Sequence, residues 1–363
     1  MRRIHISEIT GEEVLAQAII DESGRILLSK GIHIKSSYLN KLFEAGVTTV
    51  YIEDEISEGI EISSMISEST EVQAKVVIKD EVDRFYKRQE INIFNIQDIG
   101  KKIIDEILDN QGNLINISDI RIKDEFIFTH SINVCILSLY LAQKMGIATD
   151  KLKSLALGCL LHDIGKIIIP KEILIKEKPT NREIEEIKKH IHYGYKALET
   201  EITISPIAKM IVLMHHEKED GTGYLKIKED KVHECVKIAS ICNAFDNVNT
   251  KRKDIFLNTS KAIRYLQNNT KIYFNEQFVK EFLKHIPLYP VGSIVLLNNG
   301  TVAIVVKNNI EDLMRPVVRL LYNAKTRIKY MNYEIDLSKQ GRMVVENEIL
   351  FNKKEYESIT KTQ

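Results

Sequence analysis

Residues 215–225 read His-His-Glu-Lys-Glu-Asp-Gly-Thr-Gly-Tyr-Leu and follow an apolar run at residues 207–214. A helix end needs one capping group, and this stretch offers two imidazoles and an acidic turn broken by glycine. Neighbouring helical residues point about 100° apart, because an α-helix has roughly 3.6 residues per turn. Both rings can therefore face one point only at the edge of a helix. The pattern leaves open a pair of metal ligands, or one core and one surface histidine.

A second cluster, His162-Asp163-Ile164-Gly165-Lys166, ends another apolar run, and His130 stands alone upstream. Taken singly, a His-Asp pair usually marks a helix end with an ion pair, and a lone histidine is usually a core residue. A carboxylate such as that of Asp163, however, can bridge two cations, and imidazole suits iron, manganese or zinc. Histidines and a carboxylate at the ends of several helices together predict a buried multi-metal site.

Two further histidines compete for one ligand position. Residues 180–183 read Thr-Asn-Arg-Glu, which is a capping box and predicts a helix that carries His190. His192 follows in a His-Tyr-Gly turn. We favour His190 as the ligand.

The composition excludes several classes of protein. Lysine plus arginine and aspartate plus glutamate both number 51, so no net charge attracts DNA or an anionic membrane. Four cysteines lie in apolar segments without a Cys-x-x-Cys pair, which predicts reduced thiols in a cytoplasmic protein. No apolar run approaches the roughly 20 residues that cross a bilayer, and the first residues do not form a signal peptide. We therefore expect a soluble protein without membrane insertion.

The hydrophobic periodicity changes twice along the chain. Apolar residues recur at helical spacing through the middle, whereas short β-branched runs follow residue 290, the first two of them separated by an Asn-Gly turn signal. We predict a multidomain protein with an all-α core, a small N-terminal α+β domain and a small C-terminal all-β domain. The predicted units are a small α+β domain at 1–54, a linker and helical lead-in at 55–117, an all-α metal-binding domain at 118–286, a small β-barrel-like domain at 287–350 and a tail at 351–363.

Four motifs occur in order along the middle of the chain. They are His130-Ser131-x-Asn133-Val134, His162-Asp163-Ile164-Gly165-Lys166, His190-x-x-x-Gly194 and His215-His216-Glu217-x-x-Asp220-Gly221-x-Gly223-Tyr224. In type, order and spacing they resemble the HD-GYP branch of the HD phosphohydrolases over about residues 119–285. The resemblance implies a helical HD core and hydrolysis of the bacterial second messenger cyclic di-GMP to linear pGpG or GMP.

The resemblance also implies a site of two divalent transition metal ions, iron or manganese, with zinc, nickel or magnesium as alternatives. His130, His162 and Asp163 would hold the first ion and His190, His215 and His216 the second, with Asp163 as the bridge. Asp163 and Lys166 would be catalytic. The implied substrate contacts are Lys166, Asp220, Gly221, Gly223, Tyr224 and Arg252.

This assignment agrees with what the reaction needs. Hydrolysis of a phosphodiester requires a hydroxide nucleophile at neutral pH and cations that neutralise the phosphate oxygens, and a pair of metal ions supplies both. A lysine such as Lys166 adds fixed positive charge where negative charge develops. Gly221 and Gly223 would let the backbone approach a bulky dinucleotide closely.

The chain departs from the family pattern at several positions. Asn243 stands where the family has a metal-binding aspartate, and a neutral amide is a weaker ligand than a carboxylate. Leu225 replaces the proline of the motif, which we expect to loosen the loop because leucine does not fix φ. Residues 253–255 differ from the family's phosphate-contacting segment. Phe126 replaces the glutamate of members that bind three metals, so we expect no third ion.

These departures leave two functional hypotheses. The first is a cyclic di-GMP phosphodiesterase, which Asn243 impairs. The second is a weakened or inactive relative that binds a cyclic dinucleotide or a protein partner and signals without turnover. We favour the enzyme because seven other expected positions are intact. A hydrolase of another nucleotide fits less well, since the loop around Tyr224 matches the HD-GYP pattern. A homodimer or a signalling protein partner is compatible with either hypothesis.

Overall fold

The computed structural model describes residues 1–21, 24–45, 47, 49–88, 90–110, 126–249 and 259–360. These residues form a helical core between two smaller units that contain β-sheet, as the sequence predicts. The multidomain fold class is therefore confirmed. No helix in the described ranges combines the length and the apolar character needed to span a membrane.

The N-terminal unit is a small α+β arrangement. A three-stranded antiparallel sheet has the order β1-β5-β2, and β3 pairs with β4 in an antiparallel ladder. Alternate residues of the strands and one side of the helix share an apolar core that runs from Ile4 to Ile52. The elements are β1 Arg2–His5, β2 Val14–Leu15, β3 Ile19–Ile20, β4 Ile26–Leu28, α1 Ser36–Glu44 and β5 Thr49–Glu53.

The middle of the chain is helical throughout. Its helices are α2 Glu68–Arg88, α3 Ile93–Asp109, α4 Phe126–Lys144, α5 Thr149–Leu161, α6 Lys171–Leu174, α7 Asn181–Lys188, α8 His190–Leu198, α9 Pro206–Met214, α10 Glu234–Asn249, α11 Thr259–Asn268 and α12 Glu276–Leu283. One apolar cluster extends from Met65 to Ile286. Helices α2 and α3, which lie in the predicted lead-in at 55–117, bury an apolar face within this cluster.

The capping box at residues 180–183 is confirmed, but the helix that it starts ends earlier than predicted. Thr180 caps α7, which stops at Lys188. His190 is the first residue of the next helix, α8. The sequence offers no proline or glycine to mark this break, so periodicity alone merged the two helices.

The C-terminal unit is a five-stranded antiparallel sheet with the order β10-β6-β7-β8-β9. Its elements are β6 Ile294–Leu297, β7 Thr301–Lys307, β8 Val317–Asn323, β9 Lys329–Asp336, β10 Val345–Glu348 and α13 Lys353–Thr360. The predicted Asn-Gly hairpin joins β6 to β7. The strands β9 and β10 are the two edges of this order, and the barrel-like shape of the domain stays a prediction. Neither β10 nor α13 was predicted.

The predicted linker and tail both pack against this sheet. Ile56 and Ile60 join an apolar cluster with β-strand residues and with the C-terminal Phe351 and Ile359. The guanidinium of Arg319 donates a 2.7 Å hydrogen bond to the carbonyl of Glu58. The linker and the lysine-rich tail each carry few apolar side chains. Composition alone therefore did not predict that they pack against the sheet.

Candidate metal centre

The ends of the central helices bring the predicted histidines together. These helices share one apolar core, and the predicted ligands that they carry lie close together inside it. His130 lies within α4, His162 caps the end of α5, His190 begins α8, His215 caps the end of α9 and His216 follows it. His192, the rejected alternative to His190, is exposed.

Two glycines permit this convergence. A Cβ on Gly158 would lie 2.7 Å from the Ile211 side chain, so its absence lets α5 pack closely on α9. A Cβ on Gly165 would lie 1.9 Å from the carbonyl oxygen of His190. Because glycine has no side chain, the turn after Asp163 can rest on the start of α8. The Asp163 carboxylate therefore lies beside His190.

The potential ligands form two groups of three. The first group is His130, His162 and Asp163, and the second is His190, His215 and His216. Within each group one nitrogen or oxygen per residue lies within 4.8 Å of the others. The grouping matches the predicted division between a first and a second metal.

The Asp163 carboxylate lies between the two groups. Oδ2 is 3.3 Å from Nε2 of His162 and 3.7 Å from Nε2 of His130. Oδ1 is 3.4 Å from Nε2 of His190 and 3.7 Å from Nε2 of His215. Oδ1 is also buried and makes no hydrogen bond within the described residues. A buried carboxylate oxygen without a donor is costly unless a cation contacts it.

Backbone contacts fix the orientation of three rings. His162, His190 and His215 each direct Nδ1 at a main-chain carbonyl, which places the proton on Nδ1 and leaves Nε2 as a lone pair. The acceptors are the carbonyls of Cys159, Ile187 and Ile211, at 2.7, 2.7 and 3.1 Å.

These lone pairs face one another. Nε2 of His162 is 3.3 Å from Nε2 of His130, and Nε2 of His190 is 3.2 Å from Nε2 of His215. The Nε2 atoms of His190 and His215 are both acceptors and repel one another at this distance, because neither carries a proton to share. A cation between them converts this repulsion into coordination. The donor set thus fits a divalent metal in each group.

Asp246 positions His130 through its other ring nitrogen. Nδ1 of His130 is 2.6 Å from Oδ2 of Asp246, and the side-chain amide of Asn133 donates to Oδ1 of the same carboxylate at 3.1 Å. A carboxylate behind a ligating histidine fixes its tautomer and raises its basicity. Sequence reasoning missed this role. The sequence signal for this role was that Asp246 follows Asn243 by three residues, which places both side chains on one helix face.

Asn243 lies beside the first group, at the position expected of a ligand. Its Oδ1 is 3.0 Å from Nε2 of His130 and accepts a 2.7 Å hydrogen bond from the side chain of Asn247. The amide oxygen therefore points at the same centre as the imidazoles. It contributes a neutral oxygen where an aspartate would contribute a charge.

Burial keeps the second group neutral. It lowers the pKa of His190 to about 4 and, together with neighbouring histidines, the pKa values of His215 and His216 well below their usual range. Burial alone would raise the pKa of Asp163, but its contacts with His162 and with the Lys166 ammonium hold it well below its usual value. A charged carboxylate among neutral imidazoles is a suitable environment for a cation.

Two partly exposed side chains contact residues of the centre. Nζ of Lys166 lies 2.5 Å from Oδ2 of Asp163, and its side chain is 17% exposed. The Tyr224 ring stacks on His216 at 4.2 Å between centroids. Burial and the charge of Asp163 raise the pKa of Tyr224 to about 12, so the phenol stays protonated.

The other predicted substrate contacts are Asp220, Gly221, Gly223 and Arg252. Asp220 is exposed, and its Oδ1 accepts hydrogen bonds from the backbone and hydroxyl of Thr222. Gly221 has φ +73°, which explains the glycine, and a Cβ on Gly223 would lie 2.5 Å from Cα of Glu217. Gly223 is therefore required for packing of the loop. Arg252 and the divergent segment at 253–255 lie outside the described residues.

Residues 104–277 match the family model for the HD domain, and residues 294–358 match that for a KOW domain associated with HD domain. The first match lies within the helical core and its lead-in, and the second covers the five-stranded sheet. A cyclic di-GMP phosphodiesterase of Pseudomonas aeruginosa is 27% identical over 70% of this chain and 62% of its own. One from Borreliella burgdorferi is 28% identical over 60% of this chain and 54% of its own. A 3′3′-cGAMP-specific phosphodiesterase of Vibrio cholerae is 32% identical over 40% of this chain and 28% of its own. The chain thus spans less than two thirds of these relatives.

Proposed function

We propose that this protein is a metal-dependent phosphodiesterase of the HD-GYP type that hydrolyses cyclic di-GMP to pGpG or GMP. The observation that carries the proposal is the buried Asp163 carboxylate, which presents one oxygen to each group of imidazoles. The names of the relatives support the substrate. That the protein is cytoplasmic and that it forms a homodimer stay predictions.

Each group of side chains would hold one ion, iron or manganese. His130, His162 and Asn243 would bind the first and His190, His215 and His216 the second, with Asp163 shared. When bound, the ions would supply hydroxide at neutral pH and neutralise phosphate charge. The mixed nitrogen and oxygen donors favour borderline metals. The described cysteines do not join this set, since all four are free and buried elsewhere in the core.

The protein's own groups complete the site. The Lys166 ammonium, held against Asp163, is placed to contact a phosphate oxygen as its charge grows. Tyr224 is protonated and 38% exposed, so its hydroxyl can donate to the substrate. Asp246 holds the His130 ring in place through Nδ1.

Asn243 lowers the negative charge of the first position. An amide oxygen binds a divalent ion more weakly than a carboxylate does, because it is neutral. We therefore infer low occupancy of the first ion and slow turnover in the natural sequence. Whether any turnover remains with asparagine at this position also distinguishes an impaired enzyme from a non-catalytic receptor.

The test is hydrolysis of cyclic di-GMP, beside 3′3′-cGAMP, by iron- or manganese-loaded protein prepared without oxygen. Slow turnover by the natural protein, and at least about tenfold faster turnover by Asn243→Asp, supports the proposal. Asn268→Asp is the matched control, since it adds the same charge at an exposed position. Activity in Asn243→Asp alone would favour a receptor, and no turnover in any form would refute the enzyme.

A further inference from the structure

His216 is held differently from the other histidines of the second group. His190 and His215 each direct Nδ1 at a backbone carbonyl, whereas no hydrogen bond joins the His216 ring to any residue that the structure describes. Its ring instead lies against aromatic neighbours. The closest parallel contact is Tyr224, with centroids 4.2 Å apart and planes 19° apart. His215 and His190 also contact the His216 ring, but at plane angles of 47° and 89°, so Tyr224 is the described ring that stacks on it face to face.

The Tyr224 loop is held in turn by Glu217, the residue directly after His216. Oε1 of Glu217 accepts from the backbone N–H of Leu225, and Oε2 accepts from that of Ile227, both at 2.7 Å. The carboxylate is 4% exposed, and such buried charge-assisted bonds are strong. Gly223 leaves room for this approach. The carboxylate thus holds the loop at two positions that directly follow its contact with the histidine.

We propose that Glu217 is a positioning residue for the second metal, an inference that rests on the proposed function. Its carboxylate fixes the backbone at Leu225 and Ile227, this backbone fixes the Tyr224 ring, and the ring orients His216. The phenol hydroxyl plays no part in this relay, because the contact is between ring faces. Glu217 has no need to touch metal or substrate, since two backbone N–H groups occupy its oxygens.

Leu225 has a definite place in the relay. Proline has no N–H, so the bond from residue 225 to Glu217 exists only with a residue other than proline. The expectation that Leu225 loosens the loop omitted this anchor. In this chain a hydrogen bond restrains the loop where a proline ring would restrain φ.

Cobalt(II) titration of the metal-free protein, followed by d–d absorption, tests the relay without turnover. Tyr224→Ala is expected to weaken one of the two binding steps by about 10–100-fold, the usual effect of losing an outer-shell partner. Tyr224→Phe keeps the ring face and is expected to bind both ions as the natural protein does. Equal weakening by both substitutions would overturn the ring-stacking step.

Substitutions at Glu217 and Leu225 provide the second arm of this test. Glu217→Gln loses one acceptor and is expected to weaken the same binding step as Tyr224→Ala. Leu225→Pro removes one N–H and is expected to weaken it less, because the Ile227 bond remains. Leu225→Ala keeps the N–H and should bind as the natural protein does. The thermal midpoint of each metal-free variant reports whether the variant is folded.

The outcomes separate this relay from the proposed function. If the natural protein binds no cobalt, the metal site itself is refuted. If it binds two ions and the folded Glu217→Gln and Tyr224→Ala variants bind both equally well, only the positioning role is refuted. Selective loss of one binding step, with rescue by Tyr224→Phe, supports it.

Discussion

Nε2 of His190 lies 3.2 Å from Nε2 of His215, although both rings direct their protonated Nδ1 at backbone carbonyls. Two lone pairs are thus held face to face inside the protein. Burial keeps both rings neutral by lowering their pKa values, so a shared proton does not relieve the repulsion at neutral pH. The fold therefore stabilises an arrangement that a divalent cation completes.

Removing metal should destabilise the protein. An ion that binds the folded state alone adds about 2.7 kcal/mol at a concentration about 100 times its Kd. We expect the thermal midpoint of the natural protein to fall by several degrees on chelation and to recover with manganese. His190→Ala should show a much smaller fall, whereas His192→Ala, an exposed neighbour, should behave as the natural protein does. An equal response of both variants would contradict the assignment of His190.

Lys166 should act on catalysis rather than on metal binding. We expect Lys166→Ala to lower kcat by about 10²–10³-fold, the usual cost of losing one preorganised charge at a transition state. Metal content measured on the same sample should stay at the natural level. Lys196→Ala removes an exposed lysine of α8 and serves as control. Unchanged kcat in Lys166→Ala would remove this residue from the site.

Gly165 should be intolerant of any side chain. A Cβ there would lie 1.9 Å from the His190 carbonyl oxygen and 2.5 Å from the backbone nitrogen of Gly194, so backbone must move. Gly165→Ala is expected to lower the free energy of unfolding by about 3 kcal/mol or more, measured by urea denaturation of metal-free protein. Gly341→Ala has open space around it and should cost little. Similar midpoints for the two variants would argue against the close packing.

Acid stability should depend on Glu13. Burial would raise the pKa of Glu13, but hydrogen bonds from Thr10 and Gly11 lower it to about 2. Because the folded pKa lies below the unfolded value, this stabilisation is present above about pH 4.5 and is lost as pH falls towards 2. Glu13→Gln should therefore be less stable at neutral pH and lose less stability on acidification. Glu12→Gln, whose side chain is 80% exposed, is the control, and parallel pH profiles for both would contradict the shift.

The sequence predicts the parts of the site whose residue types are rare in apolar helices. Imidazoles and a carboxylate near helix ends stand out, and the structure brings His130 and His162 together with Asp163, which also lies 3.7 Å from His215. The grouping into two triads followed from family resemblance and not from spacing alone. Spacing along the chain does not report which helix ends meet.

Residues that act through others were not predictable in this way. Glu217 and Asp246 are ordinary acidic residues in the sequence, and their roles depend on a loop backbone and on a neighbouring helix. The helix α13 was missed for a similar reason. Its single fully buried apolar residue, Ile359, packs on a sheet that is distant in sequence.

The most direct test of the account is anomalous diffraction from crystals of the manganese-loaded protein. We predict two anomalous peaks per chain, one beside His130 and His162 and one beside His190 and His215, with Asp163 between them. The peak beside Asn243 should be the weaker of the two. A single peak, or none at the triads in fully loaded crystals, would contradict the two-metal site.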